Sequence, residues 1–210
     1  MKQKPIYLFS LTSHDGVTYV NSLHVNYFTP EIDFKKYDYL VITSKQVLEA
    51  LKSYDESWKS IAVLAVSDVT AKAVKEAGGK ILEYGSGYGD NLSEIIFSYP
   101  KEKKWLYLRA KEIASDFVSV CKQNGYNIDE AVVYETSCSH DLLHVKVEDN
   151  ATLIFTSPSS VTCFLKHHMF KDTQTIVVIG KTTAKAMPYH VKYKIADEPT
   201  MQSCIQKAKE

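Results

Sequence analysis

The sequence predicts an α/β protein with two similar doubly wound parallel-sheet domains of the flavodoxin or Rossmann kind, joined by a two-stranded linker and with an active-site cleft between them. The first reason is an internal repeat. Residues 41–44 (Val-Ile-Thr-Ser) match residues 154–157 (Ile-Phe-Thr-Ser), and residues 69–73 (Val-Thr-Ala-Lys-Ala) match residues 182–186 (Thr-Thr-Ala-Lys-Ala). Both matches have an offset of 113 positions, so the chain contains two copies of one unit without net insertion.

The second reason is the alternation of short apolar runs with segments of helical period, which is typical of parallel sheets covered on both faces. Predicted strands cover residues 6–9, 39–43, 61–66, 81–84, 105–108, 131–136, 152–155, 175–179 and 193–196. Predicted helices cover residues 46–51, 69–77, 92–97, 114–124, 160–166, 183–187 and 201–209. Glycines follow two of these helices, at 78–79 and at 125, as expected for helix C-caps. Residues 85–90 are predicted as a loop.

The third reason is that the copies are unequal, because the first runs through five strands and the second ends after three. Residues 6–9 resemble 106–108, and residues 25–29 resemble 132–136, so the N-terminal segment is predicted to complete the sheet of the C-terminal half. One domain would then comprise residues 1–28 with 149–210, and the other residues 38–130. The interdomain linkers would be residues 29–37 and 131–148.

Composition excludes several classes of function. The formal net charge is zero, so no global field attracts nucleic acid or an acidic membrane surface. No apolar run approaches the roughly 18 residues of a membrane span. The four cysteines lack C-x-x-C spacing, which favours free thiols in a reducing compartment. We therefore expect a cytoplasmic protein. We also expect the chain to be a monomer.

Hydroxyl side chains follow the strands of both copies and precede helices. Thr43-Ser44 occupies this position in the first copy, and Thr156-Ser157 in the second. Such residues are often simple helix N-caps, and that interpretation stays open. Open parallel sheets, however, bind ligands at the carboxyl ends of their strands, which makes ligand contact an equal alternative.

A second pair of positions lies where the next helix of each copy begins. Thr70 and Thr183 are placed there, and helix N-termini favour carboxylate or phosphate groups. Gly180 would allow close approach to the backbone, whereas its counterpart in the first copy is Ser67. Because Arg109 is the only arginine, anion recognition has to rest mainly on lysines and backbone N–H groups.

Two other patterns are weak. Residues 85–90 (Gly-Ser-Gly-Tyr-Gly-Asp) do not fit G-x-G-x-x-G, and no P-loop motif occurs, so a nucleotide-dependent enzyme is disfavoured. His140 and His144 have i,i+4 spacing but lack the H-E-x-x-H glutamate and a clear third ligand. We expect neither a metal nor an organic cofactor.

Four segments together carry a family likeness. Residues 133–136 (Val-Tyr-Glu-Thr), 155–159 (Phe-Thr-Ser-Pro-Ser), 179–186 and 197–200 occur in the order and spacing of uroporphyrinogen-III synthases. The chain is similar to that family along nearly its whole length. The resemblance implies two α/β domains joined by a two-stranded ladder, with the N-terminal strand belonging to the C-terminal domain.

The resemblance also implies an activity. Members of that family take hydroxymethylbilane, a linear tetrapyrrole polycarboxylate, and close it with loss of water and inversion of ring D, without a cofactor. Tyr134 matches the tyrosine of the family's VYxT motif and is the candidate proton donor. The implied substrate-binding residues are Thr43, Ser44, Thr70, Ser157, Ser159, Gly180, Lys181, Thr182 and Thr183.

Two departures from the family pattern affect single residues. Ser67 stands where a glycine is usual, and Lys45-Gln46 stands where many relatives have Pro-Arg. Lys45 or Lys181 could substitute for the missing guanidinium. The alternative function is a non-enzymatic two-domain binding module, or regulator, for an acidic small molecule, since the sequence shows no strong acid/base pair.

Overall fold

The computed structural model describes residues 4–87, 89–113 and 115–210, without the side chain of Asp90. Within these ranges the chain forms two compact units. The central unit is Asn26–Glu135, and the discontinuous unit contains the described residues of Met1–Val25 and Thr136–Glu210. The chain therefore passes twice from one unit to the other. The second passage, between Glu135 and Thr136, lies within the predicted linker at 131–148, whereas the first, between Val25 and Asn26, precedes the predicted linker at 29–37.

A six-stranded sheet in the order β3-β8-β7-β4-β5-β6 lies in the central unit, except that β3 begins and β8 ends in the discontinuous unit. Strands β4 to β8 of this sheet pair in parallel. If β4 is counted as the first strand, β6-β5-β4-β7-β8 has the Rossmann order 3-2-1-4-5. The strands are β3 (Leu23–Tyr27), β4 (Tyr39–Ile42), β5 (Ala62–Ala65), β6 (Lys80–Tyr84), β7 (Lys104–Ala110) and β8 (Asn127–Cys138). The helices are α1 (Lys45–Leu51), α2 (Asp68–Glu76), α3 (Leu92–Phe97) and α4 (Phe117–Gln123).

Apolar residues on both faces of the central sheet are buried, as the near-continuous apolar strands predict. On one face Val41, Leu64 and Trp105 form a core cluster with residues of α3 and α4. Neighbouring strand positions, such as Leu40 and Val63, are also fully buried. Helices α1 and α2 pack against β7 and β5.

The discontinuous unit contains a five-stranded parallel sheet in the order β11-β10-β9-β1-β2. If β9 is counted first, this is again the order 3-2-1-4-5, with β1 and β2 in the fourth and fifth places. The strands are β1 (Ile6–Ser10), β2 (Thr18–Asn21), β9 (Thr152–Phe155), β10 (Thr175–Val178) and β11 (Lys194–Ile195). The helices are α5 (Pro158–Leu165), α6 (Lys181–Ala184) and α7 (Met201–Lys209).

The N-terminal segment does complete this sheet, but one of the two predicted pieces was wrong. Strand β1 pairs with β9, as the resemblance of 6–9 to 106–108 indicates. The fifth strand is Thr18–Asn21 instead of residues 25–29, and β3 lies beside β8 in the central sheet. Only Val20 of β2 is buried, so this edge strand has no apolar run that sequence patterns could reveal.

The two faces of the discontinuous sheet carry separate cores, because successive strand residues point to opposite sides. Phe9, Phe155 and Phe164 form an aromatic cluster on the face covered by α5. Leu8 and Ile154 lie in the other cluster, with Cys204 of α7. Both faces are therefore covered by helices.

The cysteines depart from the prediction of four free thiols. Cys138, the last residue of β8, forms a disulfide with Cys163 of α5. Their Cα atoms lie 5.2 Å apart although 25 positions separate them in the chain, so sequence spacing could not reveal the pair. Cys121 and Cys204 are free and buried, and burial raises the pKa of each thiol to about 11.

Element bounds differ from the predictions mainly at helix starts. Helix α6 begins at Lys181 and has four residues, whereas a helix over 183–187 was predicted. Helix α4 begins at Phe117, and Ala114, its predicted first residue, lies outside the described residues. Tyr88 of the predicted 85–90 loop also lies outside them. None of the helices in the described ranges combines the length and apolar character that a bilayer crossing requires.

Candidate functional site

The strand order of the central sheet reverses between β4 and β7, which is where open α/β sheets bind ligands. Thr43 directly follows β4, and its hydroxyl lies 3.0 Å from that of Tyr107 on β7. Tyr107 is only 4% exposed. Burial raises the pKa of Tyr107, and the bond to Thr43 partly opposes this. The switch point thus holds two paired hydroxyls.

The neighbouring residue, Ser44, belongs to the same corner and caps α1. Its backbone is extended, and its Oγ accepts a hydrogen bond of 3.2 Å from the Gln46 N–H. The Ser44 side chain also acts to lower the pKa of Tyr134. Ser44 is therefore a helix cap in this structure that also influences the predicted proton donor.

Tyr134 lies on β8 opposite Ala110, at the carboxyl end of β7. The register shifts there, because Arg109 pairs with Val132 and Ala110 with Tyr134, leaving Val133 as an extra residue on β8. Such irregularities re-aim a strand's side chains. Tyr134 is 7% exposed, and burial raises the pKa of its hydroxyl while the Ser44 side chain lowers it.

Arg109, the only guanidinium, is engaged by its own unit. Its Nε lies 2.9 Å from Glu130 Oε1, an ion-pair distance without hydrogen-bond alignment. One terminal nitrogen donates to the carbonyls of Ala110 and Lys111 at 2.8 and 3.0 Å. Lys122 binds the other oxygen of Glu130. The Arg109 guanidinium is therefore occupied by contacts within the central unit, and anion recognition by lysines and backbone N–H groups stays a prediction.

At the start of α2, neighbouring side chains already bind the polar groups of the first turn. Ser67 is the N-cap, and its Oγ accepts the Thr70 N–H at 3.3 Å and lies 3.2 Å from the Thr70 hydroxyl. Asp68 occupies the first turn and pairs with Lys72 at 2.7 Å. This helix end already holds a carboxylate, which reduces its affinity for another. Thr70 itself is 5% exposed.

The corresponding corner of the discontinuous unit is open. Gly180 is the N-cap of α6 without any side-chain cap, and a Cβ added to it would meet no described atom within 4 Å. Lys181 and Thr182 are exposed, whereas Thr183 is buried. The side chain of Ser67 thus caps the start of α2, whereas Gly180 leaves the start of α6 without a side-chain cap. This difference is visible in the sequence.

The start of α5 is rigidly built. Ser157 and Ser160 form a reciprocal capping box, with hydrogen bonds of 3.1 and 3.2 Å, and Pro158 is the first helical residue. Ser159 is exposed in the first turn. Of the two predicted binding serines, Ser157 is therefore a helix cap in this structure, and Ser159 has the exposed side chain.

The structure brings together some of the predicted site residues within each unit. Thr43, Ser44 and Tyr134 share one corner of the central unit, while Thr70 lies at the separate start of α2. Sequence reasoning missed Tyr107, because a tyrosine inside an apolar strand has the pattern of a core residue. Within the described ranges no group of three His, Cys, Asp or Glu side chains is placed to hold a metal ion.

The class of protein follows from the topology. The chain consists of two Rossmann-ordered α/β units, of which one is completed by N-terminal strands, and both place hydroxyls after their first strands. The family model described as Uroporphyrinogen-III synthase HemD matches residues 21–206. The chain therefore belongs to the uroporphyrinogen-III synthase family.

Individual relatives agree with this assignment. A protein of Ruminiclostridium josui described as porphyrin biosynthesis protein HemD is 28% identical over 196 residues. The match covers 83% of this chain but 38% of that protein, so the chain spans well under half the length of that relative.

Two solved structures share the fold. The uroporphyrinogen-III synthetase of Helicobacter pylori superposes with a TM-score of 0.83 at 25% identity, covering 98% of both chains. A mutant uroporphyrinogen III synthase of Thermus thermophilus gives a TM-score of 0.63 at 15% identity, again over 98% of both chains, and agrees in fold alone.

Proposed function

We propose that this chain is a uroporphyrinogen-III synthase, a lyase that cyclises hydroxymethylbilane with loss of water and inversion of ring D. The observation that carries the proposal is the buried Tyr134, which pairs with the last residue of β7 beside the switch point of the central sheet. A hydroxyl leaves a carbon most readily as water, which requires a proton donor within hydrogen-bond reach. Tyr134 fills that role in our proposal.

Burial suits Tyr134 to donate a hydrogen bond without losing its proton. Its pKa is raised above the usual value of about 10, so the hydroxyl stays protonated throughout the neutral range. A neutral donor is a weak acid, and its contribution to the rate is correspondingly modest. The remaining acceleration would come from positioning the substrate, which can supply several kcal/mol.

The substrate carboxylates need partners that the sole arginine does not offer. Gly180, Lys181, Thr182 and Thr183 supply an open helix start with an exposed lysine, and Ser159 and Thr43 supply further hydroxyls. Backbone N–H groups at a helix start favour carboxylates. In our proposal Ser157 and Thr70 act less directly, because Ser157 Oγ already accepts the Ser160 N–H and the Thr70 hydroxyl lies 3.2 Å from that of Ser67.

The decisive experiment is an isomer assay. Purified chain is mixed with freshly generated hydroxymethylbilane without added metal, and the products are separated after oxidation to porphyrins. We expect the III isomer, whereas heat-denatured chain should give the spontaneous I isomer. Only the I isomer at stoichiometric concentrations of native chain would refute the proposed activity, and substrate binding without turnover would then support the binding module.

We also propose that the chain is a cytoplasmic monomer that needs no cofactor. The Cys138–Cys163 disulfide counts against a strongly reducing compartment, which was part of the reason for the cytoplasmic expectation. Sedimentation of the purified chain measures its oligomeric state. Quantification of free thiols in a rapidly alkylated cell extract measures whether this bond exists where the protein works.

A further inference from the structure

Tyr27 is the last residue of β3, the edge strand that lies beside β8. Two hydrogen bonds set the register of these strands in the central unit, one joining Asn26 to Glu135 and one joining Phe28 to Val133. The numbers on β8 fall as those on β3 rise, so the strands are antiparallel and Tyr27 lies opposite Tyr134. Opposite residues of antiparallel strands point to the same face, with Cβ atoms about 5 Å apart. Tyr27 is therefore a direct neighbour of the proposed proton donor.

The hydroxyl of Tyr27 holds the side chain of Gln46, the second residue of α1. It donates a hydrogen bond of 2.5 Å to Gln46 Oε1. The pKa of Tyr27 is raised, first by partial burial and then by the nearby Glu49 carboxylate, so the hydroxyl keeps the proton that it donates. The backbone of Gln46 is fixed as well, because its N–H donates to Ser44 Oγ at 3.2 Å. The Gln46 carboxamide is thus oriented by one bond and anchored by another.

This orientation leaves the NH2 group of Gln46 available to a ligand. A carboxamide has two N–H donors on its nitrogen, while its oxygen is here occupied by Tyr27. In the part of the chain that the structure describes, no group accepts a hydrogen bond from this nitrogen. Tyr27 is 43% exposed and Gln46 is half-buried, so the pair lies at the surface of the central unit. Two N–H donors at such a place fit an anionic oxygen.

The charges around Gln46 also permit a carboxylate to bind. Lys45, the preceding residue, is exposed and makes no ion pair with any described carboxylate. Glu49 lies one turn further along α1, but its carboxylate is 2.6 Å from Lys52 Nζ, which offsets its repulsion of an anion. This end of α1 therefore combines two N–H donors with an ammonium group.

We infer that Gln46 is a further substrate-binding residue, whose NH2 group donates to a carboxylate of the tetrapyrrole, and that Tyr27 is its positioning residue. This inference rests on the proposed function and adds a carboxylate contact to it in the central unit. Because Tyr27 is opposite Tyr134, the contact lies on the part of the substrate near the departing hydroxyl. Tyr27 acts through Gln46, since its proton is already donated to the carboxamide oxygen.

The test is steady-state kinetics of Gln46→Glu, which replaces the NH2 donor by a repelling oxygen at nearly constant size. The Tyr27 hydroxyl can donate to the new carboxylate as well, so the fold should be kept. We expect KM to rise at least tenfold while kcat changes less than about twofold, because the contact is made in the ground state and the transition state alike. The rise should shrink at high salt, since it arises from charge repulsion.

A double-mutant cycle tests the role of Tyr27. We expect Gln46→Ala to raise KM about fivefold and Tyr27→Phe about threefold. In the Gln46→Ala background, Tyr27→Phe should leave KM unchanged, because Tyr27 then has no carboxamide to orient. A residue that only stabilised the fold would show the same effect in both backgrounds. Thermal unfolding of each variant checks that the fold is intact.

Gln123→Glu is the matched control, because it makes the same charge change at an exposed position in the same unit. Gln123 ends α4, just before β8 begins, and so lies at the opposite edge of the sheet from Tyr134. It should leave KM and kcat unchanged. An unchanged KM for Gln46→Glu, or equal effects of Tyr27→Phe in both backgrounds, would overturn the inference while the wild type still forms the III isomer. Failure of the wild type in the isomer assay would instead overturn the proposed function.

Discussion

The hydroxyls of Thr43 and Tyr107 lie 3.0 Å apart, at the point where the strand order of the central sheet reverses. Tyr107 pairs in register with Val41, two residues before Thr43, so its ring extends along the strand direction to reach the threonine. This bond joins the loop after β4 to the body of the sheet. Loss of it should loosen the corner that holds Ser44 and Tyr134.

Tyr107→Phe is predicted to raise KM or lower kcat by roughly fivefold without unfolding the protein, because a single hydrogen bond contributes about 1 kcal/mol. The ring stays in the core beside Phe117, and only the hydroxyl is lost. Steady-state kinetics and thermal unfolding check both parts. Tyr126→Phe is the matched control, since it removes a bond of 2.9 Å to the Phe97 carbonyl elsewhere in the unit. Equal kinetic effects of the two variants would contradict a specific role for Tyr107.

Tyr134→Phe is predicted to lower kcat roughly tenfold without abolishing formation of the III isomer, because one proton donor is removed from a reaction that depends mainly on positioning. The ratio of wild-type to variant kcat should stay constant from about pH 6.5 to pH 9. Burial raises the pKa of Tyr134 above its usual value, so the donor remains protonated across this interval. A ratio that falls between pH 7 and pH 9 would mean that the hydroxyl titrates there and would contradict the stated environment.

Sequence patterns predicted most of this fold because its strands are apolar on both faces and follow one another at regular spacing. The offset of 113 positions also identified the equivalent corners, including the difference between Ser67 and Gly180. Strand β2 escaped prediction because Val20 is its only buried residue. A strand can be predicted from its sequence only where several of its residues are apolar because they are buried. A four-residue edge strand with one buried residue has no such pattern.

The missed parts of the site have a common physical cause. The Thr43–Tyr107 bond and the Cys138–Cys163 bond each join residues that are distant in the chain and adjacent in space. The local periodicity of a sequence does not show which residues distant in the chain come into contact. Tyr107 also occurs in an apolar strand, where its aromatic ring alone is enough to account for a core position. The sequence therefore does not indicate that its hydroxyl makes a hydrogen bond.

The Cys138–Cys163 disulfide is predicted to stabilise the discontinuous unit by about 3 kcal/mol, the entropy of closing a loop of this length. Chemical unfolding of the wild type should therefore shift to lower denaturant concentration when dithiothreitol is added. A variant with both Cys138→Ser and Cys163→Ser provides the control, because its transition should not respond to the reductant. Identical wild-type transitions with and without dithiothreitol would show that the bond does not form in solution.

Gly180→Ser is predicted to raise KM about threefold to tenfold while the fold stays intact, because the new hydroxyl would cap N–H groups that we assign to a substrate carboxylate. The backbone at Gly180 is extended, with φ −179° and ψ 178°, close to the −155° and 165° of Ser67, so a serine fits without strain. The space around Gly180 is open, so no neighbour has to move. Ser67→Gly is the reciprocal control at the equivalent position. It should leave KM unchanged, since Asp68 still supplies a carboxylate to the start of α2. An unchanged KM for Gly180→Ser with an unchanged or raised unfolding temperature would mean that the start of α6 does not bind the substrate.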